Sequence, residues 1–222
     1  MKLSKETLAI IKNYATINTN LLLKPGNKLS TLTAGVSVVM STVDITESFD
    51  KEFPIYDLND FLGALSLFND PDLTFEDKFV TIKEGSSSIK FFAASMDGMT
   101  VPKKEIVFPE AEIKFNLPAG VLSNVLKTAS LLKATDMAIV GGNGKMSLVV
   151  TDEKNKTSSS YSYELGDTTL VFNVNIKIDN LKMLSGDYAV DISTKKITRF
   201  TSKDIPSLIY YVAIEADSVF EI

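Results

Sequence analysis

The chain has 222 residues, 45% of them hydrophobic and 23% charged, with a formal net charge of −5. That is the composition of a globular protein of one large domain or two smaller ones. It has neither cysteine nor histidine. This excludes disulfides and thiolate metal sites, and removes the side chain that most often moves protons near neutral pH; carboxylate or lysine chemistry remains possible for an enzyme.

Dividing the chain at residue 108 leaves more acidic than basic residues in both halves. A polyanion would therefore have to meet positive charge gathered on one surface. No apolar run approaches the roughly 18–20 residues of a membrane span, and MKLSKETL lacks the apolar core of a signal peptide. A cytoplasmic protein without membrane contact is the expectation.

In chain order, residues 3–16 predict a helix that buries Leu8, Ile11, Tyr14 and Ala15, with Ile10 at the edge. Ser4 is its cap, and Lys2, Lys5, Ala9, Lys12 and Asn13 fall on the far side. LLLKPGNKLSTLT reads as two strands joined by a turn at Pro25-Gly26-Asn27, and β-branched strands follow to EFPIY. Residues 57–68 return to helical spacing behind Asp57, burying Leu58, Phe61, Leu62, Leu65 and Phe68 and leaving a neutral outer face of Asn59, Gly63 and Ser66. Strands resume to residue 94. Glycine, prolines and charges then mark a linker over residues 95–112.

The second half runs through the same order. A strand leads to a helix with Pro118 at an early position, burying Val121, Leu122, Val125, Ala129 and Leu132 and exposing Ser123, Asn124, Lys127 and Ser130, with Lys133 at its end. DMAIVGGNGKMSLVVTD reads as a hairpin around Gly141-Gly142-Asn143-Gly144. Two strands, a short helix at 176–184 carrying Lys177 and Lys182 and stopped by Gly186, and closing strands complete the half. Lys12 matches Lys127, KPGNKLS matches GGNGKMS, and FLGAL matches NLKML, at offsets of 115 to 119 residues. The expectation is an α+β chain of two similar domains of antiparallel sheet with two helices each. The boundaries are 1–108, with a linker over about 95–108, and 109–222.

Lysine recurs on three of the four predicted helices, while acidic residues concentrate in TESFDKE, NDPDLTFED, VTDE and IEAD. An exposed lysine face is ordinarily just a solvated surface. Its repetition in duplicate points instead to a side of the molecule that faces a polyanion. The acidic pairs Glu76/Asp77 and Asp152/Glu153 are the catalytic alternative, each in a turn-like stretch. GGNGK is not a phosphate-binding loop, lacking the first glycine at the required distance and the Ser/Thr after its lysine. A β-rich structural or assembly protein of a virus is the other alternative.

MKLSKETLAIIKNYATIN, IYDLNDFLGALSLFND and YYVAIEADS resemble the DNA sliding clamps, and more closely those of T-even-type bacteriophages; the similarity runs along the whole chain. The resemblance implies a homotrimer closed head-to-tail into a ring, with helices lining the hole and sheet outside. It implies no catalytic residue, cofactor or metal. The implied function is to encircle duplex DNA without regard to sequence and to tether the replicative DNA polymerase. An ATP-driven clamp loader would open the ring in the cytoplasm of the infected bacterial host. On this sequence the DNA-facing positions are Lys5, Lys12 and Lys127, then Lys2, Lys133, Lys177 and Lys182. The edges that join subunits are 86–94 and 158–166. Partner tails fall to Tyr211 and Ala213 on one face of IYYVAIE, and to Met96, Met99 and Val101 in the linker.

Overall fold

The computed structural model describes residues 1–34, 38–151 and 159–221. The chain forms two compact units, Met1–Glu105 and Ile106–Ile222.

The first unit opens with α1 (Lys5–Ile17), capped by Ser4, whose side chain accepts from the Thr7 N–H at 3.1 Å. It buries Thr7, Ile10, Ile11, Tyr14 and Ile17. The stripe is thus rotated from the expected one, and Leu8 and Ala15 stay half-exposed. Tyr14 explains the rotation: its ring is fully buried and its hydroxyl accepts from Ser41 at 3.1 Å, so an aromatic body and its polar tip are both satisfied inside. Strands β1 (Leu21–Leu23), β2 (Gly26–Leu32), β3 (Val39–Phe49) and β4 (Phe53–Ile55) follow. The turn at Gly26 (φ +103°) does not close the predicted hairpin: β1 pairs with β4, and β2 with β3. Helix α2 (Leu58–Leu65) starts at Asp57, which accepts from the Asn59 N–H at 2.8 Å. It ends three residues sooner than expected and buries Leu58, Phe61, Ala64 and Leu65. A three-stranded sheet, β5 (Asp72–Phe75), β6 (Phe79–Glu84) and β7 (Ser87–Phe92), ends the unit with β7 at its edge. Phe75, half-buried, packs edge-on against the buried Phe49 and Phe53 at 5.4 and 5.2 Å, an arrangement that aromatic pairs favour.

The second unit repeats the plan. After β8 (Ile113–Leu117), α3 (Ala119–Leu132) buries Val121, Leu122, Val125 and Ala129. Pro118 is its cap rather than a helical residue. Strands β9 (Asp136–Gly142) and β10 (Lys145–Thr151) turn through Asn143 and Gly144, both at positive φ (52° and 82°). Two such residues make the tight turn whose twist suits a two-residue hairpin, as the sequence predicts. With β11 (Tyr161–Asp167), β12 (Val171–Lys177) and β16 (Val219–Glu221) they form a sheet in the order β11-β10-β9-β12-β16. Strands β13 (Tyr188–Ser193), β14 (Ile197–Ser202) and β15 (Ile209–Ala213) continue from β8 in the order β8-β13-β14-β15.

The helix predicted at 176–184 is not an α-helix. Only Ile178–Asn180 make one 3-10 turn, and Lys177 and Lys182 lie before and after it. Leu184 shows why. Its N–H goes to Tyr210 Oη at 3.3 Å, and its carbonyl accepts from Tyr188 Oη at 2.6 Å. Tertiary partners thus take the backbone groups that a helix would use.

Candidate nucleic-acid interface

Helix α1 is anchored at its start by strand β3. Glu47 accepts from the Ser4 N–H and from Thr7 Oγ1, the latter at 2.6 Å. Burial opposes the charge on Glu47, but these hydrogen bonds outweigh it and hold the carboxyl below its ordinary range. A carboxylate there also suits the positive end of the helix dipole. With the axis and rotation of α1 set by its buried stripe, about 100° per residue places Lys5 and Lys12 within about 20° of each other, directly opposite that stripe. Both are exposed.

Helix α3 is built alike. Its first N–H, from Ala119, donates to Asp187 Oδ1 at 2.7 Å, a cap supplied from outside the helix since Pro118 has no side-chain donor or acceptor. Lys127 stands opposite the stripe of Val121, Leu122, Val125 and Ala129 and is exposed. Lys133 ends the helix in the left-handed region at φ 56°, also exposed. The outer face of α2 is Asn59, Gly63 and Ser66, without a cation as expected, but Asp60 is exposed beside it and makes the solvent side of this helix acidic rather than neutral.

The lysines differ in what neutralises them. Lys2 pairs with Asp70, which raises its pKa. Lys177 pairs with Glu215 at 3.1 Å, and its pKa rises for the same reason. Lys28, Lys51 and Lys145 likewise have carboxylate partners. Lys5, Lys12, Lys127 and Lys133 have no ion pair among the described residues. The predicted positions therefore sort into open cations, with Lys5, Lys12 and Lys127 on helix faces and Lys133 at a helix end, and cations already offset. Lys182, half-buried after the 3-10 turn, sits on no helix face.

A cavity of about 200 Å³ lies between α1 and the end of α2, lined by Leu3, Leu8, Leu62, Leu65 and Phe68 with Lys12 at its rim. It accounts for the half-exposure of Leu8, Leu62 and Phe68, which the helical spacing alone places in the core. Of the acidic pairs, Asp77 is exposed and pairs with Lys51 at 2.6 Å, which lowers its pKa. That arrangement keeps it ionised and gives it no proton to share. Asp152 and Glu153 lie outside the described residues.

The expected partner-binding residues are distributed over the two units. Tyr211 and Ala213 share a face of β15, Tyr211 buried and Ala213 half-exposed. In the first unit Met96 is exposed, and Met99 and Val101 are half-exposed. That segment is tied down at Thr100, whose N–H donates to Asn20 Oδ1 and whose carbonyl accepts from Asn18 Nδ2, each at 2.8 Å.

A family model described as DNA polymerase processivity factor matches residues 4–100. Over 231 residues the chain is 34% identical to the sliding clamp of Enterobacteria phage T4, with all of both chains covered. The chain belongs to the sliding clamps. It is therefore a DNA polymerase processivity factor, and the structural-protein alternative falls away. Its fold is also that of more distant sliding clamps. The DNA polymerase III β-subunit clamp of Bartonella birtlesii superposes with a TM-score of 0.71 at 14% identity, over 97% of this chain. The chain spans 64% of that clamp's length. A. fulgidus PCNA, solved with a C-terminal region of FEN-1, superposes with a TM-score of 0.69 at 15% identity, over 96% of each chain.

Sequence reasoning missed Glu47 and Asp187, because each caps a helix from at least 40 residues away. It also missed Phe108 and Arg199, which pack with Tyr211 and Asp191 in the second unit. The one available signal was that Arg199 is the only arginine in a lysine-rich chain.

Proposed function

We propose that three copies of this clamp close head-to-tail around duplex DNA, and that Lys5, Lys12, Lys127 and Lys133 meet its phosphates. The observation that carries this is the pair of open lysine faces, each set opposite the buried stripe of its helix. Lysines reaching phosphates give a sequence-independent, salt-sensitive attraction, which holds DNA without arresting sliding. Lys2 and Lys177 contribute less because carboxylates already offset them, and Lys182 is a minor candidate.

In this reading residues 1–108 and 109–222 are the two clamp domains of one subunit. Strands β7 and β11 stand at the ends of their sheets, and an edge strand offers unpaired backbone groups to another chain. We assign the subunit joint to them, a heterologous contact whose rotation closes. The replicative polymerase and an ATP-driven loader are the partners, in the cytoplasm of the infected host. We assign their tails to Tyr211 and Ala213 in the second unit and to Met96, Met99 and Val101 in the first; that a C-terminal region of FEN-1 is bound to A. fulgidus PCNA supports tail binding by a clamp of this fold. The clamp itself catalyses nothing.

Solution mass tests the ring. A species about three times 24.3 kDa is expected, and a stable monomer overturns the trimer. Processive synthesis on primed DNA by the polymerase, with and without the clamp and its loader, tests the tethering.

A further inference from the structure

Arg199 lies in β14 directly between Asp191 of β13 and Tyr211 of β15 in the strand register. Its Nε and Nη2 donate to Asp191 Oδ2 at 3.1 and 2.8 Å, which orients the guanidinium across the strands. Phe108 covers it: the guanidinium carbon is 4.5 Å from the Phe108 ring centre. The same ring lies 6.1 Å from Tyr211, tilted by 32°. A planar guanidinium stacks on an aromatic face, whereas an ammonium acts as a point charge. That difference is a physical reason for the chain to place its one arginine here.

The segment that carries Phe108 belongs to no helix or strand, and Val107 beside it is 92% exposed. Its next backbone tie to the strands is at Glu112, whose N–H donates to Ile192 O at 3.1 Å. Phe108 is therefore held through its ring, without a ladder to secure it. Such a contact is exchangeable for another ring of the same shape.

We propose that Asp191, Arg199 and Tyr211 form a docking cradle for an aromatic anchor in a partner's tail, and that Phe108 fills this cradle until the partner displaces it. The inference rests on the reading that the Tyr211 side of this unit receives partner tails. Phe108 itself shows the chemistry that fits. It is followed by Pro109 and Glu110, an aromatic ring with a carboxylate two residues on. Arg199 stacks on the ring, and exposed Lys114, opposite Asp191 on β8, offers a cation for the acid. A tail with an aromatic residue and a nearby carboxylate is thus the matching partner. Filling the cradle from within lowers the apparent affinity by the fraction of time it stands open. A tail without an aromatic ring gains nothing by competing.

The chain has no tryptophan, so Phe108→Trp places a single indole reporter in the cradle. The probe is a ten-residue C-terminal peptide of the polymerase that the clamp serves, titrated by calorimetry and by indole emission on the full-length clamp. The expected result is a red shift and stronger acrylamide quenching on peptide binding. Phe108→Ala should bind the peptide about tenfold more tightly, as expected if the cradle stands open about a tenth of the time, and Arg199→Lys should bind it more weakly. If the peptide binds but the indole emission does not move, or Phe108→Ala binds no better, Phe108 does not fill the site and the proposal fails while the partner surface stands. If the wild-type clamp and Phe108→Ala both bind no peptide, the partner surface itself is misplaced and the proposal falls with it.

Discussion

Thr7 Oγ1 donates a 2.6 Å hydrogen bond to Glu47 Oε2, and through it strand β3 fixes the start of the helix that presents Lys5 and Lys12. The same carboxylate also receives the Ser4 N–H. Losing these bonds leaves orphan donors at a helix N-terminus, so Glu47→Ala should cost about 1–2 kcal/mol. The pH dependence follows from the lowered pKa. A carboxyl that titrates lower folded than unfolded stabilises the protein above its unfolded pKa, and that contribution is lost as pH falls through the folded pKa. Urea unfolding of wild type and Glu47→Ala at pH 7 and in acid measures this. The gap between them should narrow in acid, and a gap independent of pH would mean that the charge of Glu47 is not what holds the helix.

Open and offset lysines should behave differently towards DNA. Replacing Lys5 and Lys12 together, or Lys127, by Glu should lower processive synthesis without changing the solution mass. For every phosphate that no longer meets a lysine, the log–log salt dependence of DNA association should flatten by about 0.9. Lys2→Gln and Lys177→Gln should change the slope little, since Asp70 and Glu215 already hold those charges. Equal effects at both sets of positions would remove the helix faces from the DNA-binding reading.

This much of the candidate interface is legible in the sequence because its signals are local. Helical spacing puts Lys5 and Lys12 opposite the apolar stripe even though the stripe itself proved rotated, since Leu8 and Ala15 are displaced from the core by Thr7 and Ile17. The match of Lys12 to Lys127 survives because both helices bury corresponding positions: Thr7, Ile10 and Tyr14 against Leu122, Val125 and Ala129. What stayed illegible depends on distant partners. The residues after Asn180 have helical spacing, yet Tyr188 and Tyr210 claim the backbone of Leu184. Likewise, nothing near Phe108 in the sequence announces that Arg199 will lie under it.

Gly141 is required by a neighbour rather than by its own backbone. A Cβ there would stand 2.3 Å from Phe172 Cε1. Phe172 is buried and directly opposite in the β9–β12 register, so its ring has little room to withdraw. Gly141→Ala should therefore destabilise by about 1–3 kcal/mol through overpacking. Gly142, where a Cβ would meet nothing within 4 Å, is the control, with Gly142→Ala expected within about 1 kcal/mol of wild type. Chemical denaturation of the two variants side by side decides it, and equal stabilities would contradict the crowding at Phe172.

The two tyrosines that hold Leu184 give a test of why the fourth helix is missing. Tyr188 supplies the shorter bond, 2.6 Å to the Leu184 carbonyl, against 3.3 Å from the Leu184 N–H to Tyr210. Tyr188→Phe should thus cost about 1–2 kcal/mol by leaving a carbonyl without its donor, and Tyr210→Phe less. Both rings lie in one edge-on cluster, with centroids 6.2 Å apart, so a double-mutant cycle should show coupling rather than simple addition. Burial pushes the Tyr210 hydroxyl up to about 12. An acid that ionises more readily unfolded than folded contributes stability that is complete below its unfolded pKa, about 10, and is lost as pH rises through its folded pKa. Tyr210→Phe should therefore remove part of the alkaline loss of stability between about pH 10 and 12 seen in wild type. Unfolding curves at pH 8 and pH 11 separate the two effects. A variant that loses stability with alkali as steeply as wild type would show that Tyr210 is not the group responsible.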